Sequence, residues 1–598
     1  MSRKLLLNFG SIQKLRPHSF GRGTPMTRWK SQSGAHPFYE LPTAVSAIHL
    51  TVPSSAIVRV ILPFGGWKSP ELKSTLASLL TDTAFISNAN LTKNNRLRLM
   101  LPATGNLGDL TDRSLDQNKP ALIDASDFDN PVTLSHGELD HRANAVARAL
   151  VARGYARGDR IAILAANSAD YLVTYFGTMR AGMISVPVNW RFPPETVAYI
   201  LDDCDAKIVF IDETRHDAVP EGLPIVQFGD NFDSFLDPGP FDIVSCDQDV
   251  VAMFLYTSGS TGRPKGVPLT HYGHLWVIEM RSKGGDIAPH RLLVAAPLYH
   301  MNALAIAKAA LLGHATIVLL PQFTTEGYVK AVERFQCTWL TSVPTMMALV
   351  TKETTLVAGT DVSSVKIVRM GSAPATQRLF DDIRKAFPGA SISYGYGTTE
   401  AGPVCFGAHP DGLPTPDLSI GYPVPEVRMR LVDGDNLDAD QGELQMDCPA
   451  KTPGYHKLPE KTAEVMTADG YYKTGDILRR DANGFHYFVD RVDDMFVCNG
   501  ENVFPVEVEK LLESHPAIKQ ACVVPVDDEV RGAMPVAFVV AADGMALDTD
   551  TVKQHALAGG PAYQHPRHVW LLDDLPLAST NKLDRKTLAA DATKRLAG

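Results

Sequence analysis

From Lys119 onward, short apolar runs alternate with helix-length amphipathic segments, the pattern of a mostly parallel sheet covered by helices. Residues 120–123 predict the first strand. Ser135 and Glu138 stand at capping-box spacing, and Leu139, Ala143, Val146 and Leu150 then recur on one helical face until Gly154 supplies a stop. Further strands are predicted over 160–165, 206–211, 250–256, 315–320, 338–343 and 365–370, with helix-length segments between them. Near Ile420 the texture changes to short strands and Gly/Asp turns over 427–433, 442–446 and 484–489, which predicts a small β unit closing the large domain. A charged segment at 490–493 then introduces a helix–strand alternation of domain size. The expected fold class is α/β: a large N-terminal domain of layered α/β subdomains plus a small β unit (100–489), followed by a small mobile α/β C-terminal domain (490–598). No repeat of solenoid length is evident.

The first 99 residues break this pattern. They hold 13 Lys+Arg against 3 Asp+Glu, so with a formal charge of −10 overall the remaining chain carries −20. Without sustained periodicity, and broken by Pro17, Gly21, Gly23, Pro25, Gly34, Pro37 and Pro42, the extension is expected to be poorly ordered. Three accounts of it stay open: a translated leader ahead of a start at Met100, an organellar transit sequence, or an accessory segment.

The acidic balance argues against non-specific nucleic-acid binding. Seven cysteines without a CxxC pair offer neither a disulfide framework nor a zinc site and suit a reducing, cytoplasmic setting. The apolar run 303–320 is interrupted by Lys308 and His314, and no run reaches the roughly 18 uncharged residues of a membrane-spanning helix.

The most informative segment follows the strand predicted over 250–256. Residues 256–266 read Tyr-Thr-Ser-Gly-Ser-Thr-Gly-Arg-Pro-Lys-Gly. Gly259, Gly262 and Gly266 let the backbone approach a ligand closely, while Thr257, Ser258, Ser260 and Thr261 offer hydroxyls and Lys265 a charge to phosphate oxygens. It is a phosphate-gripping loop, but the spacing is not that of a Walker A sequence. A Ser/Gly linker is the bland alternative, and it would seldom begin on a buried strand.

Four later segments join it: Tyr394-Gly-Tyr-Gly-Thr-Thr-Glu400, Tyr472-Lys-Thr-Gly-Asp476, Asp490-Arg-Val-Asp-Asp494 with Asn499-Gly-Glu-Asn-Val-Phe-Pro505, and Ser579-Thr-Asn-Lys-Leu-Asp-Arg585. In this order, over residues 105 to 595, the set resembles the adenylate-forming superfamily of acyl-CoA synthetases, luciferases and peptide-synthetase adenylation domains. The tail is most similar to benzoate-type and fatty acyl CoA ligases. The resemblance implies an acid-thiol ligase that uses ATP, Mg²⁺ and CoA: a carboxylic acid becomes an acyl-adenylate with loss of pyrophosphate, and a thiol then displaces AMP.

The resemblance also implies roles. The 257–265 loop would grip the β and γ phosphates, Thr399 the α-phosphate, and Glu400 the metal. Asp476 would accept both ribose hydroxyls, as an acceptor-only carboxylate can. Arg491 would touch ribose or phosphate, and Asp493 matches the hinge of the C-terminal domain. Lys582 holds the position of the adenylation lysine, and His300, in Pro297-Leu-Tyr-His-Met-Asn302, stands beside the acyl carboxylate. Gly371, Ser372 and Ala373, with Tyr394, Gly395, Tyr396, Gly397 and Thr398, match segments lining the acyl and adenine sites, and Gly500 belongs to the loop lining the pantetheine tunnel. Each has a bland reading: a helix N-terminal carboxylate, a turn Asp, a surface lysine, a structural histidine.

Three departures stand out. Asp490 holds a position that is commonly Gly, Asn499 replaces the first of a Gly pair, and Asn581 precedes the lysine where Gly is frequent. Met301, Leu304, Met370 and the region after Gly402 are expected to build an apolar pocket for an aromatic or medium-to-long aliphatic acid. Carrier-protein loading or arrest at the adenylate is the second reading, a non-catalytic binding protein on this fold the third. A homodimer is left open.

Overall fold

The computed structural model describes residues 101–258, 263–282, 285–403, 405–528, 530–577 and 583–597, together with four strands in the first 99 residues. The chain divides into two compact units, Met1–Asn94 and Asn95–Gly598. In the first, Arg28–Trp29 pairs with Phe38–Tyr39 and Val45–Thr51 with Ile57–Pro63, both antiparallel. Two antiparallel strand pairs are thus described within the N-terminal extension. The rest of that extension lies outside the described residues.

In the second unit the helix His136–Ala152 carries the capping box read from the sequence, with Ser135 accepting from the Glu138 N–H and Glu138 accepting from the Ser135 N–H. Its apolar face is buried through Leu139, Ala143, Val146 and Leu150. Two sheets form the large body. One runs in the order Ile225–Gln227, Ala206–Ile211, Arg160–Leu164, Ile184–Pro187, Val251–Ser258, Pro264–Thr270. The other runs Ser391–Gly395, Ile367–Gly371, Trp339–Ser342, Arg291–Val294, Thr316–Leu319, Pro120–Asp124, Val132–Ser135. Strands within each are parallel apart from Pro264–Thr270 in the first and Val132–Ser135 in the second.

Apolar side chains from both sheets and from the helices Ala169–Arg180, His271–Ser282 and Met301–Leu312 share one large core. The helix Met301–Leu312 is buried all round except at Asn302, which is why its sequence reads as a continuous apolar run rather than an amphipathic stripe. Lys308 is buried within it.

The expected β unit is a six-stranded antiparallel sheet, in the order Phe406–Gly407, Ser419–Pro423, His486–Arg491, Tyr472–Arg480, Gln441–Asp447, Arg428–Val432. A last sheet, built from Glu501–Val503, Phe496–Cys498, Gly532–Ala541, Ile518–Asp528 and His568–Leu571, carries the helices Pro505–Glu513 and Arg585–Ala597. All seven cysteines are free thiols. Among the described residues no helix is long and apolar enough to cross a membrane.

Candidate active site

The segment expected to grip phosphate connects two antiparallel strands, with Thr257 opposite Lys265 and Ser258 opposite Pro264. A strand, not a helix, follows the loop, which separates it structurally from a Walker A loop as the spacing did. Gly259, Ser260, Thr261 and Gly262 lie outside the described residues, as does the Ser258 side chain. The Lys265 ammonium stands 4.4 Å from the centre of the Tyr455 ring, a cation–π contact.

Tyr455 links that lysine to Glu400. Its hydroxyl donates to Glu400 Oε1 at 3.1 Å, and the Glu400 carbonyl accepts from the Thr452 N–H at 2.6 Å. Burial raises the Glu400 carboxyl above its ordinary value, against the opposing pull of the Tyr455 hydroxyl and of the Lys265 and Arg491 charges. Sequence reasoning missed Tyr455, because no motif marks it and only the fold brings it to Glu400. The turn holding Thr398, Thr399 and Glu400 is pinned by a bridge from Thr398 to Gly402 and by the Ala401 N–H donating to Thr398 Oγ1 at 3.0 Å. At Gly397 a Cβ would fall 2.3 Å from Pro403 Cα, so the turn closes only around glycine.

Three separated motifs meet at Asp476, which is 5% exposed. Tyr396 donates its hydroxyl to Asp476 Oδ2, and Arg491 Nη1 lies 2.9 Å from Oδ1. Asp476 and Arg491 face each other directly in the register of two antiparallel strands.

The segments expected to line the acyl site lie at the carboxyl ends of parallel strands, where ligands of open α/β sheets are held. Gly371 and Gly395 are register partners, and a Cβ on Gly371 would stand 2.8 Å from the Gly395 carbonyl oxygen. Ser372 takes φ +69°, and the Tyr394 hydroxyl donates to the Ala373 carbonyl at 2.8 Å. His300 precedes the helix Met301–Leu312 at its N-cap, with the Tyr299 ring edge-on at 4.6 Å. Met301 and Leu304 belong to the core around that helix, but Met370 corrects the expected lining. It sits one residue out of phase with Gly371 and packs on the opposite face with Phe380 and Ile383.

At the C-terminal side, Asp493 is exposed in the turn after Arg491, and its carboxylate lies 3.9 Å from Arg491. Asn499 takes φ +56° and Gly500 φ +84°, so asparagine keeps the left-handed turn at the departure from the Gly pair. Nothing in the residue pattern marks the role of Asp490. Fully buried, it accepts the Arg491 N–H at 2.8 Å and the Val506 N–H at 2.9 Å, joining the β unit to the helix Pro505–Glu513. Lys582 and Asn581 lie outside the described residues. Their flanks are tied by a bridge from Leu577 to Leu583 and by Arg585, whose Nη2 lies 2.7 Å from Glu509.

Comparison with known proteins gives a consistent outcome. The description AMP-binding enzyme matches residues 113–456, and AMP-binding enzyme C-terminal domain matches 507–582. A fatty acid–[acyl-carrier-protein] ligase of Streptomyces coeruleorubidus is 31% identical over 76% of this chain and 91% of its own length. A feruloyl-CoA synthase of Amycolatopsis sp is 32% identical over 75% of this chain and 92% of its own. The crystal structure of ATP-bound MatB from Rhodopseudomonas palustris matches with a TM-score of 0.74 at 26% identity, covering 82% of this chain and 99% of that one.

Proposed function

Because the chain belongs to the AMP-binding enzyme family of ATP-dependent adenylate-forming ligases, we propose that it joins a carboxylic acid to CoA through an acyl-adenylate. The observation that carries this reading is the convergence of Tyr396, Asp476 and Arg491 beside the Lys265–Tyr455–Glu400 chain, from segments far apart in sequence. A ribose and a triphosphate need such neighbours: acceptors on one side, and a cation with a metal-holding carboxylate on the other.

In the first half-reaction a carboxylate oxygen attacks the α-phosphorus and the bond to pyrophosphate breaks. Developing charge is then held by Lys265, Thr399 and Lys582, with Thr257, Ser258, Gly259, Ser260, Thr261 and Gly262 around the β and γ phosphates. Glu400 suits Mg²⁺. Among the described residues one of its oxygens receives Tyr455, and no cluster of three or more metal-ligating side chains occurs, so phosphates and water would complete the shell. When bound, Mg²⁺ would neutralise phosphate charge. In the second half-reaction a thiolate attacks the carboxyl carbon and AMP leaves. The loop at Asn499 and Gly500 would admit the pantetheine arm, and a turn about Asp493 would exchange it with Lys582.

Met301, at the start of the helix that follows His300, favours an aromatic or medium-to-long aliphatic acid. Carrier-protein loading is the second reading, favoured by the carrier-protein ligase among the relatives. The test is pyrophosphate–ATP exchange over a panel of acids, followed by AMP release with CoA or a phosphopantetheinyl carrier. Acid-dependent exchange with CoA-dependent release supports the proposal. Exchange released only by the carrier selects the second reading, and no exchange with any acid overturns both.

A further inference from the structure

Resting on that ligase reading, we propose that the acid adenylated here carries a second, distal carboxylate, received by the guanidinium groups of Arg281 and Arg369 at the inner end of the acyl site. The substrate class is then a dicarboxylic acid.

Arg369 lies on the strand Ile367–Gly371, two residues before Gly371, so strand alternation puts both on the face turned away from Met370 and its core. Its Nη1 donates to Ser393 Oγ at 3.3 Å, and its Nη2 occupies the room left by Gly395, 2.8 Å from where a Cβ would stand. The position is recessed. Two residues of strand span about 6.6 Å, so Arg369 starts that far inside the strand end from which the reacting carboxyl must reach Thr399, Glu400 and Lys265. A carboxylate meeting this guanidinium is therefore at the far end of the acid.

Arg281, in the last turn of the helix His271–Ser282, lies near enough to Arg369 and to Lys308 for mutual repulsion. Lys308 is 0% exposed, with its ammonium 3.3 Å from His274 Nδ1. Among the described residues no carboxylate pairs with any of the three cations, and Arg281 Nε has no hydrogen-bond partner. Burial, then the Arg281 charge, pushes Lys308 down to about 7, so the lysine can shed its proton. An arginine cannot. Enclosed guanidinium charges without a counter-ion are costly to hold, and both arginines stay half-buried rather than sealed, which leaves them reachable by a ligand. The planar fork of each matches a carboxylate with two N–H donors.

The test compares kcat/KM for adenylation of straight-chain diacids, succinate to suberate, with monocarboxylic acids of equal carbon number and with the diacid monomethyl esters. The expected result is a diacid preferred by about tenfold to hundredfold over its matched monoacid and its ester, the effect of one charge-assisted contact. Arg369→Met should remove most of that preference through KM. The wild-type panel decides even if the variant fails to fold. Equal or better use of monoacids by the wild type overturns the diacid proposal and leaves the ligase reading standing. Absence of exchange with every acid overturns the ligase reading itself.

Discussion

Replacing Asp490 by asparagine should change stability in a way that depends on pH, because two opposing effects meet at one carboxyl. Burial pushes that group from 3.8 to about 6 while the Arg491 and Val506 N–H bonds pull the other way. A carboxyl with a raised folded-state pKa holds its proton more tightly folded than unfolded. Its contribution is fully present below the unfolded value and is lost as pH rises through the folded one. The whole rise corresponds to about 3 kcal/mol, of which about 1 to 1.5 kcal/mol is lost between pH 5 and pH 8. Asparagine abolishes this titration, but it has one acceptor for two buried N–H groups, and the unanswered donor costs about 1–3 kcal/mol at every pH. Asp490→Asn should therefore be clearly less stable than wild type at pH 5, and the gap should narrow by about 1 to 1.5 kcal/mol at pH 8. Denaturant unfolding of both proteins across this range, followed through the transition that separates the helix Pro505–Glu513 from the β unit, measures the gap. A gap that is constant, or wider at pH 8, refutes a buried ionising role for Asp490.

Lys582→Ala should lower acyl-adenylate formation by at least about two orders of magnitude while a supplied adenylate is still converted to thioester; equal loss in both half-reactions, seen in single turnovers, counts against the assigned role. Tyr455→Phe removes the hydroxyl that favours the charged Glu400, so its carboxyl should rise further and adenylation should fall about tenfold or more, most severely at low pH. A uniform loss across the pH–rate profile would mean that Tyr455 acts only on Lys265. Asp493→Pro should impair the thioester step more than adenylation: the hydrogen bonds of that turn come from the Asp494 and Met495 N–H groups, so the substitution removes none of them and acts by fixing φ. Unchanged half-reactions in that variant would put the hinge elsewhere.

Wherever a single periodicity decided an element, the sequence was a good guide. The capping box at Ser135 and Glu138 and the strands Ala206–Ile211 and Pro120–Asp124 depend on neighbours in sequence, so local chemistry fixes them. Four of the motifs likewise marked residues that the fold draws together, Lys265 and Glu400 about Tyr455, and Tyr396 and Arg491 about Asp476. What stayed hidden was long-range. Tyr455 lies in a stretch with no motif and gains meaning only through its hydroxyl on Glu400. Asp490 read as a departure from glycine, and only the Val506 contact gives it work. Met370 was assigned to the pocket on composition, yet one residue of strand phase turns it to the other face. Arg281 and Arg369 looked like ordinary charged positions, since nothing in a linear sequence reveals that a cation lacks an acid beside it.

Oxygen tracing tests the central claim most directly. The acid that supports the fastest pyrophosphate exchange is labelled with ¹⁸O at both carboxyl oxygens and turned over with ATP, Mg²⁺ and CoA, and the nucleotide product is examined by mass spectrometry. Attack of the carboxylate on the α-phosphorus, followed by thiol cleavage of the carbon–oxygen bond, leaves one ¹⁸O in AMP and none in pyrophosphate. Label in orthophosphate with ADP as product, or unlabelled AMP, would contradict the acyl-adenylate route.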